Sequence, residues 1–150
     1  MAKILIVQAD FYKEISAMLL EGAVRRISQA GYDHEIITVP GAFEIPAAIA
    51  MASGCKGKVF KGYDKYEGYV ALGCVIRGET THYDYVCTES ARGLNDLAIK
   101  DKLAIGYGII TCENEEQAID RADLKKKNKG GFAAMACIEM IKLKKVLIQK

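Results

Sequence analysis

The sequence predicts a three-layer α/β sandwich: one four-stranded parallel sheet with helices on both faces. Three observations point there. Apolar runs of strand character alternate with stretches of helical period, in the order βαβαβαβα. The third run, Tyr69–Ile76, carries no charge and is apolar on both faces, as a buried parallel strand must be. The chain's 150 residues are 51% hydrophobic and 27% charged, enough for one domain with its own core and unlike a disordered or fibrous chain. Residues 1–150 are read as that single domain.

Lys3–Ala9 is the first strand. Ile15, Leu19, Ala23 and Ile27 then recur every four residues, one face of a helix that ends at Gly31. Glu35–Val39 is the second strand. After Pro40-Gly41 an apolar helix begins, which tolerates Pro46 if that residue lies in its first turn. Tyr69–Ile76 is the third strand, and a helix follows over about 82–100. Leu103–Ile110 is the fourth strand. Asn114 with Gln117 three residues on resembles a capping box, and Glu115 and Glu116 suit the positive end of a helix dipole. That helix is expected to reach about Lys127, where Gly130-Gly131 breaks the chain before a last helix, Phe132–Leu147. Residues 53–68, rich in Gly and Lys, read as a helix end and surface connector.

Several function classes fall away. The longest uncharged run, Ile45–Cys55, has eleven residues and contains Pro46, too short to cross a bilayer. The first ten residues (MAKILIVQAD) read as a strand rather than an export signal, so a cytoplasmic protein is expected. The net charge of +2 gives no footprint for nucleic acid. It is uneven, however. Residues 121–150 hold nine Lys/Arg against two Asp/Glu, or +7, which leaves −5 on residues 1–120. A solvated Lys-rich helix and an anionic ligand near residues 121–129 both fit that surplus. Cys55, Cys74, Cys87, Cys112 and Cys137 are odd in number and form no CxxC, which suits reduced thiols. With His34 and His82 as the only histidines, no zinc-type spacing arises, and no metal site is expected.

In open α/β sheets ligands bind where strands end and helices begin. Four such loops can be read: 10–12, 40–44, 77–82 and 111–113. The third carries most information. Gly78 frees the backbone, so the N–H groups of Glu79, Thr80 and Thr81 can converge on an anion at a helix N-terminus. A simple helix cap by Thr80 or Thr81 is the competing reading. Gly73 and Gly78 have P-loop spacing, but Glu79-Thr80 stands where Lys-Ser/Thr is required, which excludes a nucleoside triphosphate. The dinucleotide fingerprint GxGxxG is also absent, since Thr111 replaces the third glycine after Gly106 and Gly108. A small phosphate group remains. His82, just past this loop, is either a structural histidine or a proton-transfer group, and the neighbouring anion loop favours the second. Glu44 can accept from ligand hydroxyls or simply face its helix N-terminus. Phe11 is equally compatible with a core role. Cys74, inside the most apolar strand, reads as packing rather than a nucleophile. A response-regulator receiver is excluded, because Asp10 stands alone after strand one and strand three ends in Val75-Ile76-Arg77.

Taken together, VPGAFEIPAA (residues 39–48), ALGCVIRGETTH (71–82), IGYGIITCENEEQAIDRA (105–122) and KNKGG (127–131) closely resemble the 6,7-dimethyl-8-ribityllumazine synthase family, collinearly from about Ile4 to Met140. The resemblance implies a flavodoxin-like sheet and a transferase of the penultimate step of riboflavin biosynthesis. The implied substrates are 5-amino-6-(D-ribitylamino)uracil and L-3,4-dihydroxy-2-butanone 4-phosphate, with no cofactor. It implies that Phe11 stacks on the pyrimidine and that Ala42, Phe43 and Glu44 meet the ribityl chain. Cys74, Val75 and Ile76 would offer backbone groups to the uracil, Glu79 and Thr80 would hold phosphate, and His82 would shuttle protons. Tyr107, Arg121 and Lys129 would come from a neighbouring subunit, with Arg121 on the phosphate.

The family implies homo-oligomers too: rings of five with sites at the interfaces, in some members twelve rings closed into a shell, and riboflavin synthase as a protein partner. Asp10 and Tyr12 stand where Arg and Asn are frequent, Glu79 brings a carboxylate to the phosphate loop, Tyr107 replaces a commoner Phe or small residue, and Phe132 replaces a frequent Glu. A non-catalytic flavin- or lumazine-binding assembly on the same scaffold is the alternative reading. An intact His82 and Arg121 weigh against it.

Overall fold

The computed structural model describes residues 2–54 and 66–148. Four parallel strands, β1 (Lys3–Ala9), β2 (Asp33–Val39), β3 (Tyr66–Ile76) and β4 (Ile105–Cys112), form one sheet in the order β2-β1-β3-β4. Helices α1 (Lys13–Gln29), α2 (Ile45–Gly54), α3 (His82–Lys100), α4 (Glu115–Ala122) and α5 (Lys129–Leu147) flank it, and a single 3-10 turn, Ala42–Glu44, precedes α2. This is the three-layer arrangement expected from the alternating pattern, with the flavodoxin-like sheet that the resemblance implies. Strand order reverses direction between β1 and β3, the switch point of such sheets.

Each face of the sheet has its own core. On one side Ile4, Ile6, Val70 and Leu72 pack with Leu19 and Ile27 of α1 and with Ala134 and Ile138 of α5. On the other, Leu5, Val7 and Ala71 pack with Ile45 and Ile49 of α2 and Val86 and Leu94 of α3. Consecutive residues of β1 therefore serve opposite cores, as strand geometry dictates. The four α1 positions picked out by their spacing, Ile15, Leu19, Ala23 and Ile27, are all buried. Pro46 lies in the first turn of α2, where its missing N–H costs no helical bond.

Some boundaries differ from those expected. β2 begins at Asp33, so His34 is within the strand rather than in the turn before it. β3 starts at Tyr66, three residues early, and thereby takes the end of the expected 53–68 connector; residues 55–65 of it lie outside the described residues. β4 is shifted to Ile105–Cys112, which puts Thr111 and Cys112 in the strand instead of its following loop. The largest correction concerns α4 and α5. α4 stops at Ala122 because Asp123 leaves helical dihedrals (φ −58°, ψ 127°), and a turn over 123–127 follows. α5 starts at Lys129, so Gly130 and Gly131 sit inside its first turn rather than breaking the chain. Asn128 makes the break itself, with a left-handed φ of 45° and a side-chain oxygen that accepts from Gly131 N–H at 3.2 Å. A Cβ on Gly130 would lie 2.0 Å from the Leu19 carbonyl oxygen, so close approach to α1, not turn formation, requires glycine here.

The register sets up the functional edge. β1 pairs with β3 only as far as Gln8–Leu72, whereas β3 pairs with β4 to Ile76–Cys112. The last four residues of β3 thus extend beyond the β1 ladder, and their backbone groups on that side lie outside it.

Candidate active site

A cleft of about 600 Å³ opens at this edge, outside the carboxyl ends of β1 and β3. Phe11 and Tyr12 enter from the β1–α1 loop; Pro40, Gly41, Ala42, Phe43 and Glu44 from the β2–α2 loop; Cys74, Val75 and Ile76 from β3; and His82 and Val86 from α3. Eight of the residues singled out in the sequence meet here, drawn from four separate segments.

Each is placed by local structure. Phe11 is 74% exposed, and Tyr12 meets it edge-to-face with ring centroids 5.0 Å apart. Burial raises the Tyr12 phenol, with Cys74 and Glu115 adding to the effect. Phe43 is 54% exposed, facing the same space. Glu44 closes the 3-10 turn, its N–H donating to the Gly41 carbonyl at 3.1 Å. A Cβ on Gly41 would come within 3.0 Å of Glu44 Oε2, so the carboxylate folds back over a position kept small. His82 and Val86 lie one helical turn apart on the cleft-facing side of α3, and that i, i+4 spacing is the signal by which Val86 could have been read from the sequence. Tyr12, Pro40 and Gly41 adjoin predicted residues in the same loops.

The Cys74 thiol is buried at the cleft floor and pushed up to about 12, chiefly by burial, then by Cys112 beside it. It stays protonated near neutral pH, which removes it as a nucleophile. Among the described residues no group of His, Cys, Asp and Glu could hold a metal ion, and no helix is long and apolar enough to cross a membrane.

Glu79 and Thr80 lie in the exposed loop leading to His82. Thr81 occupies the α3 N-cap position without a side-chain cap bond, and Thr80 Oγ1 accepts weakly from His82 N–H at 3.4 Å. The cap reading of the loop is therefore poorly filled.

Neither Glu79 nor Thr80 lines the cleft itself, and three further predicted residues lie away from it. Tyr107 is exposed on β4, beside a separate hollow formed with Ala91, Leu94, Asn95 and Ala98 of α3. Arg121 is half-buried on α4, its Nη1 donating to the Gln117 carbonyl at 3.2 Å. Lys129 is exposed at the start of α5, over the Phe132 ring at 5.6 Å. The Asn114–Gln117 box is present: Asn114 Oδ1 accepts from Gln117 N–H at 2.9 Å, and Gln117 Oε1 from Glu113 N–H at 2.8 Å.

Comparison with known proteins agrees with this geometry. Residues 1–145 match the family model described as 6,7-dimethyl-8-ribityllumazine synthase. A protein of that name from Bartonella tribocorum is 56% identical over 142 residues, covering 95% of this chain and 89% of the relative. One from Zymomonas mobilis is 54% identical over 147 residues, covering 98% and 99%. One from Agrobacterium fabrum is 54% identical, covering 96% and 95%. At that identity and coverage, with the cleft at the switch point of the sheet, the chain belongs to the 6,7-dimethyl-8-ribityllumazine synthase family, a family of transferases in riboflavin biosynthesis.

Proposed function

We propose that the protein condenses 5-amino-6-(D-ribitylamino)uracil with L-3,4-dihydroxy-2-butanone 4-phosphate, giving 6,7-dimethyl-8-ribityllumazine, phosphate and two molecules of water. The observation that carries the reading is the meeting of an exposed aromatic ring, a carboxylate and an imidazole in one cleft at the strand ends.

Phe11 stacks on the pyrimidine, and the edge-to-face contact with Tyr12 holds its ring ready. The backbone groups of Cys74, Val75 and Ile76 beyond the β1 ladder bind the uracil edge. Glu44 accepts from ribityl hydroxyls alongside Ala42 and Phe43. Backbone N–H groups of the loop at Glu79 and Thr80 receive the phosphate at the start of α3. Glu79 serves through its backbone alone, since an ionised carboxylate has no proton to offer phosphate. The substrate amine attacks the ketone, an imine forms with loss of water, phosphate is eliminated, and the ribityl-bearing nitrogen closes the ring on the remaining carbonyl with loss of a second water. Protons move at each stage, and the His82 imidazole, with one ring nitrogen that can donate and one that can accept, suits both giving and taking them.

Tyr107, Arg121 and Lys129 complete the site from a neighbouring subunit of a homo-oligomeric ring, with Arg121 offering a planar fork to phosphate. Their positions away from this chain's own cleft support that division. The wild-type oligomer, given both substrates, is expected to release phosphate in step with lumazine fluorescence. Silence from an assembled oligomer that still binds lumazine would replace this reading with a non-catalytic binding assembly.

A further inference from the structure

Arg77, the residue after β3, joins three elements at the carboxyl edge of the sheet. Its N–H donates to the Cys112 carbonyl at 2.9 Å, at the end of β4. Its Nε donates to Glu113 Oε2 at 2.7 Å, its Nη1 lies 3.5 Å from Asp84 Oδ1, and its guanidinium carbon is 4.3 Å from the Tyr83 ring centroid. Glu113 is itself fixed by the bond from its N–H to Gln117 in the α4 cap. Tyr83 and Asp84 belong to the first turn of α3, and Asp84 N–H donates back to the Thr81 carbonyl at 3.0 Å.

The network thus grips both ends of the 78–81 loop: Arg77 on one side, and on the other two residues that Arg77 touches. None of Arg77, Tyr83, Asp84 and Glu113 lines the substrate cleft, which His82 and Val86 face. The loop has little else to hold it. Residues 77–82 are all exposed, a Cβ on Gly78 would meet nothing within 4 Å, and Thr81 makes no cap bond. Exposed ion pairs contribute little to folding stability, so stability does not account for this convergence of contacts. Nor is Arg77 placed as a phosphate ligand, since two carboxylates already face its guanidinium.

We propose that Arg77 is a positioning residue: by bridging Glu113 to Tyr83 and Asp84 it sets the path of the 78–81 loop, and so where the loop N–H groups and His82 meet the phosphate-bearing substrate. This rests on the reaction proposed above. A planar guanidinium can serve both carboxylates and the ring at once, and a lysine cannot.

The test is the Arg77→Ala protein, confirmed assembled and with an unchanged unfolding midpoint. Its kcat/KM for the phosphate-bearing substrate is expected to fall about 10- to 100-fold, the scale of a misplaced reacting group, with little change in KM for the pyrimidine substrate. Arg77→Lys should not restore it. The Arg77→Ala/Glu113→Gln double variant should be no worse than Arg77→Ala, because both act through one contact. Should Arg77→Ala fail to assemble, Glu113→Gln carries the same comparison between substrates. Wild-type kcat/KM in Arg77→Ala, additive losses in the double variant, or equal losses for both substrates with a lowered unfolding midpoint would overturn the proposal. Titration with inorganic phosphate separates this from the reaction itself. If the wild type makes no product, the reaction fails, while weaker phosphate binding by Arg77→Ala than by wild type still supports the role of Arg77, and equal binding overturns it.

Discussion

Replacing His82 with alanine removes the cleft's imidazole from an exposed helix position that supports no core contact, so the fold should persist. Turnover is expected to fall about 10²–10⁴-fold, the usual contribution of a positioned acid–base group. Steady-state kinetics at saturating substrates decide it, and unchanged turnover would remove His82 from proton transfer. Cys74 gives the opposite expectation. Its buried thiol, raised to about 12, leaves roughly 10⁻⁴ of it as thiolate at pH 8. Cys74→Ala should therefore keep wild-type turnover. In the native protein, alkylation of Cys74 by iodoacetamide should be slow at pH 8 and speed up about tenfold for each unit of pH toward 10, because only the deprotonated sulfur reacts. Peptide mass spectrometry against time reads this directly, and rapid labelling at pH 8 would show a thiolate that the burial of the side chain forbids.

At the start of α5 the contact with α1 is a close backbone approach. Gly130→Ala would drive a methyl group onto the Leu19 carbonyl, and the helices must part to admit it. We expect a loss of about 1–3 kcal/mol in urea unfolding, the range for overpacking, whereas Gly54→Ala, with open space around it, serves as a control with no such loss. The same glycine shows why the α4–α5 junction was misread in the sequence. A Gly-Gly pair signals a break when its conformational freedom is what matters, and here its small size matters instead. The true break, Asn128, depends on a left-handed backbone that no periodicity announces. The alternating pattern and the helical spacing of α1 were legible because a single buried face controls them. Strand ends were less so: β3 begins at Tyr66 although Glu67 and Gly68 interrupt the apolar run, because Tyr66 still pairs with Lys3 and Gly68 with Ile4 across an irregularity that skips Glu67. The cleft was legible because its residues sit in strand-end loops. The Arg77 network was not, since Arg77 and Glu113 are 36 residues apart and meet only once β3 and β4 are paired.

The proposed division of the site between subunits makes a prediction for the whole assembly. His82→Ala and Arg121→Ala proteins should each be weak alone. Unfolded together and reassembled as mixed rings, they should regain activity neither has separately, because some interfaces then receive both wild-type residues. A mixture that stays as inactive as its components would place both residues in one subunit's site. The sheet order bears on how the chain reaches this state at all. β1 is made first and ends in the middle of the sheet, with Ile4, Leu5, Ile6 and Val7 wholly buried on both faces. One neighbour, β2, follows after a helix, but the other, β3, begins only at Tyr66. At about 5–20 residues per second, a nascent chain carries this apolar strand with an open edge for several seconds before its second partner exists. The first strand to be synthesised thus waits longest for its second partner, which makes the early chain a natural client for chaperones and its β1 segment the place where misassembly would start.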